Sequence, residues 1–113
     1  MEDCIFCKIA NGEIGTDKVY EDEFVTAFRD LNPQAQVHIL VVPKKHYSNV
    51  LEVKENDDII AKIYGAINKI AKQENIDQSG FRVINNCGKD AGQTVMHMHF
   101  HIIAGRALGD KIV

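Results

Sequence analysis

The sequence has no excess of basic residues, no long apolar run and no signal-like start. Its 113 residues contain 13 Lys and Arg against 16 Asp and Glu, a net charge of −3, which argues against nucleic acid or an acidic membrane as the main partner. No apolar stretch approaches the roughly 20 residues that span a bilayer, and the opening Met1-Glu2-Asp3 is acidic where a signal peptide would be basic. We therefore expect a cytoplasmic protein without membrane contact.

The sequence also lacks internal repeats, low-complexity tracts and any sign of a second domain. A chain of this length is expected to form one domain over residues 1–113, and to gain stability from an oligomeric partner that covers more apolar surface. Three cysteines, an odd number, fit a reducing compartment better than a disulfide framework. The cysteines are therefore expected to act as individual residues rather than as a covalent scaffold.

Turn residues divide the chain into short elements. We expect a short helix over 4–10, a hairpin over 18–21 and 24–29, and strands over 37–42 and 81–86. One long helix, capped by Asp57 or Asp58, carries apolar residues at helical spacing that predict a buried face: Ile59, Ile60, Ile63, Ile67, Ile70 and Ala71. Strands joined by short turns beside one long helix predict an α+β fold with an antiparallel sheet of about five strands.

Three histidines on alternate residues, His97, His99 and His101, are the most informative feature. In a strand over 95–103 they would share one face, and the apolar residues between them would share the other. His97 and His101 would then stand about 13 Å apart along the strand, too far for a single zinc ion, whose ligand nitrogens lie about 2.0–2.1 Å from the metal. A row of imidazoles facing an anionic substrate is the better interpretation, because imidazole can act as nucleophile, base or hydrogen-bond donor near neutral pH.

Cys4 and Cys7 form a Cys-x-x-Cys pair that spacing alone leaves open to three interpretations. The thiols could be small packed residues, a redox dithiol or half of a zinc site. A redox dithiol needs a thioredoxin-like setting, and here no strand precedes the pair. For zinc, His46 and His97 are candidates for the other two ligands, although the spacing from Cys7 to His46 matches no zinc finger.

Two further segments are compatible with a phosphate site. The loop 88–94 contains two glycines that allow close backbone approach, and Gln93 and Thr94 could meet phosphate oxygens there. In the strand over 37–42, His38 shares a face with Leu40 and Val42. His38 is then either a satisfied core histidine or a companion of the three histidines.

These motifs resemble the histidine triad (HIT) family, whose signature is His-x-His-x-His followed by two apolar residues. The resemblance runs through 24–35, 38–46 and 92–103, nearly the whole chain, and is strongest to the small nucleoside phosphoramidate hydrolases of bacteria. It implies an enzyme that cleaves at the α-phosphorus of a purine nucleotide through a nucleotidyl-histidine and releases the nucleoside monophosphate. It also implies a homodimer and no organic cofactor.

Carried onto this sequence, the resemblance assigns four catalytic residues. His99 would be the nucleophile, His101 would hold a phosphate oxygen, and His38 would support the triad. Thr94, where the family more often has serine, would hydrogen-bond the leaving group. The tail 105–110 lacks the tryptophan that eukaryotic members place near the leaving group, so the leaving-group preference does not carry over.

The resemblance also implies a nucleotide site and a metal site. Asp30 would accept hydrogen bonds from the ribose hydroxyls, Gln93 would hold a phosphate oxygen, and Asn86 would lie near the phosphate or ribose. The nucleotide-binding set is Ile5, Phe6, Ile9, Phe28, Asp30, Leu31, Leu40, Asn86, Gln93, Thr94, His99 and His101. Some bacterial members pair a Cys-x-x-Cys with a later histidine and the first triad histidine, which implies a structural zinc ion at Cys4, Cys7, His46 and His97. Four protein ligands would close its coordination shell.

Three alternatives remain beside the phosphoramidate hydrolase. A dinucleoside polyphosphate hydrolase would release a burst of mononucleotide from that substrate. A regulatory module would bind purine nucleotides without turnover, and the intact His99 counts against it. A catalytic-zinc hydrolase would lose activity to a chelator while it stays folded.

Overall fold

The computed structural model describes residues 3–113, so Met1 and Glu2 of the acidic opening segment lie outside the described residues. The elements in chain order are helix α1 (Ile5–Ala10), strands β1 (Lys18–Glu21), β2 (Val25–Arg29) and β3 (Val37–Pro43), helix α2 (Ile59–Gln73), and strands β4 (Arg82–Ile84) and β5 (Phe100–Ala104). Short 3-10 turns lie at Val50–Glu52 and Lys89–Ala91. The five strands form one sheet in the order β1-β2-β3-β5-β4, and every neighbouring pair is antiparallel. The predicted α+β fold is confirmed.

The two faces of the sheet are covered by different helices. On β3, Ile39 and Val41 pack into the cluster that contains the buried face of α2, whereas Leu40 and Val42 pack into the cluster formed with α1. His38 is buried on the same side as Leu40, as the alternation of a strand requires. The chemistry-bearing residues of the strands therefore lie on the α1 face.

Helix α2 begins as its sequence predicts. The Asp57 carboxylate accepts a hydrogen bond from the backbone N–H of Ile59 at 3.0 Å and another from the Tyr47 hydroxyl at 2.6 Å, which satisfies one of the free amides of the first turn. At 15 residues, α2 is the longest helix within residues 3–113, and none in that range is long and apolar enough to cross a bilayer.

The predicted strand over 95–103 is wrong in its first half. Strand β5 begins at Phe100, so His97 and His99 precede it and only His101 of the three lies within it. The first residue of β5 that pairs with β3 is Phe100, which lies opposite Val41, and the first that pairs with β4 is His101. Before that point the Met98 amide donates to the Tyr47 carbonyl instead, at 2.7 Å. The three imidazoles therefore do not project from one face of a single strand.

Candidate active site and adjoining cysteine-histidine cluster

Most of the predicted nucleotide-site residues line one cavity of about 470 Å³, between α1 and the α1 face of β2 and β3. The volume falls within the range of about 300–1,000 Å³ that is usual for small-molecule sites. The members of the predicted set that line the cavity are Ile5, Phe6, Ile9, Phe28, Asp30, Leu31, Leu40, Thr94, His99 and His101, and His38 lies beside them. Asn86 and Gln93 are not among the lining residues.

His99 is held in one tautomer by the main chain. Its Nδ1 lies 2.7 Å from the carbonyl oxygen of His97, and because a carbonyl only accepts, Nδ1 carries the proton. The neutral ring then has its lone pair on Nε2. The ring is 6% exposed, and the edge-to-face contact with Phe6, at 5.0 Å between centroids, fixes its plane. The cavity wall therefore contains an oriented imidazole with an unprotonated nitrogen.

His38 and His101 form a second oriented pair. The backbone N–H of Gln34 donates to His38 Nδ1 at 3.0 Å, so the proton of the neutral His38 ring is on Nε2. That nitrogen lies 2.8 Å from His101 Nδ1 and donates to it. The proton of His101 is then on Nε2. A backbone amide thereby determines the tautomers of two consecutive imidazoles, and His101 has a hydrogen-bond donor left for a ligand.

Burial keeps both rings of this pair neutral. Desolvation lowers the pKa of His38 below its usual value, although the nearby Asp30 carboxylate opposes the change. Desolvation, followed by repulsion from His99 and His38, lowers the pKa of His101 to about 4. At neutral pH the two imidazoles are therefore uncharged hydrogen-bonding groups.

The depressed pKa of His101 predicts a loss of stability in acid. An unfolded histidine binds a proton near pH 6.5, whereas His101 in the folded protein does so only near pH 4. The unfolded state therefore takes up more protons, and stability falls as the pH falls from about 7 towards 4. In His101→Gln, whose amide oxygen still accepts from His38, we expect the drop in melting temperature between pH 7.5 and 5 to be about 4 °C smaller, as about 1 kcal/mol would give in a small domain. Equal drops in both proteins would contradict the assignment.

Asp30 both stabilises the turn after β2 and borders the cavity. One carboxylate oxygen accepts from the Asn32 N–H at 2.8 Å, and the other lies 3.4 Å from His38 Nε2. The carboxylate therefore stabilises the turn while it borders the cavity. Asp30 also belongs with His38 and His101 to a group whose ligand atoms lie within 4.8 Å of one another, and the hydrogen-bond chain accounts for that proximity.

Gln93 holds its own loop together. Its amide nitrogen donates to the carbonyls of Ser48 at 2.7 Å and Val95 at 3.0 Å, and its amide oxygen accepts from Gly88 N–H at 2.9 Å. The side chain is buried and fully engaged within the protein, so its contact with phosphate stays a prediction. Sequence reasoning missed Asn85, which donates to the His99 carbonyl at 2.9 Å. Sequence reasoning also missed Gln34, which acts through its backbone and so carries no side-chain signal.

A second group of side chains lies beside the cavity. Cys4, Cys7, His46 and His97 bring four ligand atoms within 4.8 Å of one another. The His97 Nδ1 lies 3.2 Å from Cys4 Sγ, 3.4 Å from Cys7 Sγ and 3.2 Å from His46 Nδ1, and Cys7 Sγ lies 3.2 Å from His46 Nδ1. Ligands of a tetrahedral zinc ion with bonds of about 2.0–2.3 Å stand about 3.3–3.7 Å apart. The cluster is compatible with zinc in both donor type and size.

A hydrogen bond at the edge of this cluster turns the ligand nitrogen of His97 towards the other three residues. His97 Nε2 donates to the Pro43 carbonyl at 2.8 Å, so the Nδ1 lone pair faces the two thiols and His46. Such a bond from the far ring nitrogen is typical of a metal-ligating histidine. Burial and the adjacent Cys4 raise the pKa of Cys7 to about 11, and a bound dication would reverse this preference by stabilising the thiolate.

Comparisons with known proteins give a consistent result. Residues 11–108 match the family model described as the HIT domain. The chain is 43% identical to the purine nucleoside phosphoramidase of Escherichia coli over 98% of this chain and 94% of that protein. A solved histidine triad protein from Clostridium difficile is 59% identical with a TM-score of 0.95, over 98% of this chain and 97% of that one. A HIT family hydrolase from Clostridium thermocellum is 46% identical with a TM-score of 0.96, over 100% and 99% of the two chains.

Proposed function

The chain belongs to the histidine triad (HIT) family, and on that basis we propose that it is a nucleotide hydrolase. Its substrates are purine nucleoside phosphoramidates and related nucleotidyl conjugates, and the bond it breaks joins the α-phosphorus to the leaving group. The main support is the tautomer of His99, whose unprotonated Nε2 belongs to a ring that lines the cavity. The name of the Escherichia coli relative, purine nucleoside phosphoramidase, supports the same substrate class.

In the first step His99 is the nucleophile. Its Nε2 forms a bond to the α-phosphorus while the bond from phosphorus to the leaving nitrogen breaks, and that electron pair stays on the nitrogen. The leaving nitrogen takes up one proton from solvent and departs as an amine. The phosphorylated ring is a cation, and its Nδ1–H remains bonded to the His97 carbonyl. Splitting the displacement into two steps is the gain from covalent catalysis.

In the second step water restores the enzyme. The water oxygen forms a bond to phosphorus and loses one proton to solvent, while the bond from phosphorus to Nε2 breaks and its electron pair returns to the ring. The products are the nucleoside monophosphate and neutral His99. The Nε2–H of His101 donates to a phosphoryl oxygen in both steps, and the His38 N–H keeps that donor in place. Thr94 serves the leaving group and Asn86 lies near the phosphate. Gln93 reaches a phosphate oxygen only by exchanging one of its bonds to Gly88, Ser48 and Val95.

The nucleoside occupies the part of the cavity farther from the triad. The Asp30 carboxylate accepts from the ribose hydroxyls, and its bond to the Asn32 amide holds it at the turn after β2. Apolar side chains from α1, β2 and β3 surround the purine: Ile5, Phe6, Ile9, Phe28, Leu31 and Leu40. A purine face gains both area burial and aromatic contact in such surroundings.

The cysteine-histidine cluster holds a structural zinc ion in this proposal. Cys4, Cys7, His46 and His97 supply four ligands, which leaves no position for a substrate or an activated water. The ion supplies positive charge and cross-links segments that are far apart in the sequence. We also propose that residues 1–113 form a single HIT domain that acts as a homodimer.

Adenosine 5′-phosphoramidate tests the function directly. We expect steady release of AMP by the purified protein, and release to continue in the folded fraction after a chelator is added. A faster release of mononucleotide from a dinucleoside polyphosphate would favour that substrate class instead. Tight AMP binding without turnover of either substrate would favour the binding module. Activity that disappears with the metal while folding and AMP affinity stay unchanged would indicate catalytic zinc.

A further inference from the structure

The peptide group between His97 and Met98 is hydrogen-bonded at both ends. Its carbonyl oxygen accepts the Nδ1 proton of His99 at 2.7 Å, and its N–H donates to the carbonyl of Tyr47 at 2.7 Å. A peptide group is planar and trans, so its C=O and N–H point in opposite directions from one rigid unit. The bond to Tyr47 therefore sets the direction of the carbonyl that orients the His99 ring.

The two hydrogen bonds also influence each other electronically. When an amide N–H donates to an acceptor, the carbonyl oxygen of the same peptide group becomes a stronger acceptor, because hydrogen bonds in a chain polarise one another. A stronger bond at Nδ1 of His99 leaves more electron density on Nε2, the atom proposed to attack phosphorus. Tyr47 is thus connected to the nucleophile through one peptide group and two hydrogen bonds.

The side chain of Tyr47 anchors this carbonyl. Tyr47 lies beyond the end of β3 at Pro43, outside the strand ladder. Its ring is 6% exposed and belongs to the core cluster that contains Met98. Its hydroxyl donates to the Asp57 carboxylate at 2.6 Å, and the other oxygen of that carboxylate accepts from the Ile59 N–H at 3.0 Å. The tyrosine ring therefore links the carbonyl to the start of α2.

We propose that Tyr47 is a positioning residue for the nucleophile, and that its bond to Asp57 keeps the 97–98 peptide group in the orientation that holds the His99 proton on Nδ1. This inference rests on the proposed function, because it assigns the attack on phosphorus to Nε2 of His99. Tyr47 is not among the residues that line the nucleotide cavity. Its role is therefore in the chemical step and not in nucleotide affinity.

Tyr47→Phe tests the proposal, because it keeps the buried ring and removes only the hydroxyl. We expect the single-turnover rate constant with adenosine 5′-phosphoramidate to fall about tenfold, a modest part of the roughly 100-fold that a 1 Å misplacement can cost. The affinity for AMP should stay unchanged, which separates a loss of positioning from a loss of nucleotide binding. Metal content is recorded for each variant, because the proposed ligand His46 precedes Tyr47.

Tyr20→Phe is the matched control. The Tyr20 hydroxyl donates to the Asp22 carboxylate at 2.8 Å, and that carboxylate also accepts from the Phe24 and Val25 amides at 2.8 and 2.9 Å. The substitution therefore removes the same type of bond. Tyr20 is half-buried on the edge strand β1, which β2 and β3 separate from β5. We expect its single-turnover rate constant to match that of the wild type.

A double-mutant cycle shows whether the effect passes through Asp57. Asp57→Ser keeps an oxygen that can accept from the Ile59 amide, but the shorter side chain does not reach the Tyr47 hydroxyl. We expect it to slow the reaction by the same factor as Tyr47→Phe, and the double variant to be no slower than either single variant. Losses that multiply in the double variant would contradict the link between the two residues.

Nitrogen NMR reads the tautomer of His99 without any substrate. In the wild type at pH 7.5 we expect long-range ¹⁵N–¹H correlations to show the proton on Nδ1, and in Tyr47→Phe a measurable fraction with the proton on Nε2. The Met98 amide should exchange with solvent at least about tenfold faster in the variant, while amides within β3 keep their rates, because the opening is local. A purely structural role would instead speed exchange throughout the sheet.

The proposal fails if Tyr47→Phe reacts at the wild-type rate, if Tyr20→Phe loses as much, or if the rate falls while the His99 tautomer is unchanged. Loss of metal from Tyr47→Phe would also count against it, because the effect would then come through His46. If the wild type hydrolyses no phosphoramidate, the proposed function fails separately. The tautomer then decides alone: a shift in Tyr47→Phe would support the positioning role, and an unchanged tautomer would refute it.

Discussion

Replacement of His99 by alanine is expected to lower the release of AMP from adenosine 5′-phosphoramidate by about 10⁴-fold or more, the scale seen when a covalent nucleophile is removed. The remaining contacts of the nucleotide cavity are unchanged, so AMP should still bind. The variant removes the Nε2 atom of His99. This atom is unprotonated because the other ring nitrogen, Nδ1, carries the proton and donates it to the His97 carbonyl. Its effect is therefore on the chemical step rather than on affinity.

Mass spectrometry and chemical rescue make this prediction specific. When the reaction is quenched within milliseconds to seconds, we expect an adenylyl adduct on the wild type and none on His99→Ala. Free imidazole should restore part of the lost activity, because the truncated side chain leaves a buried space beside Phe6. Undiminished AMP release by the variant would show that another group is the nucleophile. Loss of activity without any wild-type adduct would point to direct attack by water.

Loss of the proposed zinc ion is expected to have the second large effect. The cluster joins the start of α1 through Cys4 and Cys7 to the segment after β3 through His46, and to the triad segment through His97. Helix α1 is only six residues long, too short to be stable without such contacts. In Cys7→Ser, or after treatment with a chelator, we expect the free energy of unfolding to fall by at least about 3 kcal/mol, a part of the 10–16 kcal/mol that structural zinc supplies to small zinc domains.

The same change should weaken nucleotide binding, because α1 supplies Phe6 and Ile9 to the cavity. Cys87→Ser is the matched control, since Cys87 is a half-buried cysteine outside the cluster. Metal content, thermal unfolding and AMP affinity should be measured on both variants. If Cys7→Ser retains its metal and unfolds like Cys87→Ser, the metal assignment is wrong. If the metal is lost while stability and AMP affinity persist, the cluster does not support the site.

The sequence predicted the sheet and the long helix well because their periodic patterns coincide with burial. The alternation over 37–42 placed His38 beside Leu40, and the stripe from Ile59 to Ala71 became the buried face of α2. The residues predicted to bind the nucleotide were named through the family resemblance, and most of them line the cavity of about 470 Å³. Apolar residues such as Phe28 and Leu40 would have been assigned to core by composition alone, and they are indeed buried.

Other features depend on contacts between distant parts of the chain and carry no local signal. His97 and His99 alternate like strand residues, but the bonds of His97 to Pro43 and of Met98 to Tyr47 draw this segment away from the sheet. The Gln93 amide is bound to Ser48, 45 residues away. Strand β5 lies between β3 and β4 in the sheet, an order that no spacing in the sequence specifies.

The bond from His99 to His97 has a consequence for how such an enzyme can evolve. His97 belongs to the proposed metal cluster through its side chain, but it accepts the His99 proton through its main-chain carbonyl. Any amino acid at position 97 can provide that carbonyl. A lineage can therefore replace Cys4, Cys7, His46 and His97 by apolar packing and keep the tautomer of the nucleophile. The proposed metal cluster and the proposed nucleophile are adjacent in space, but they are separable under selection.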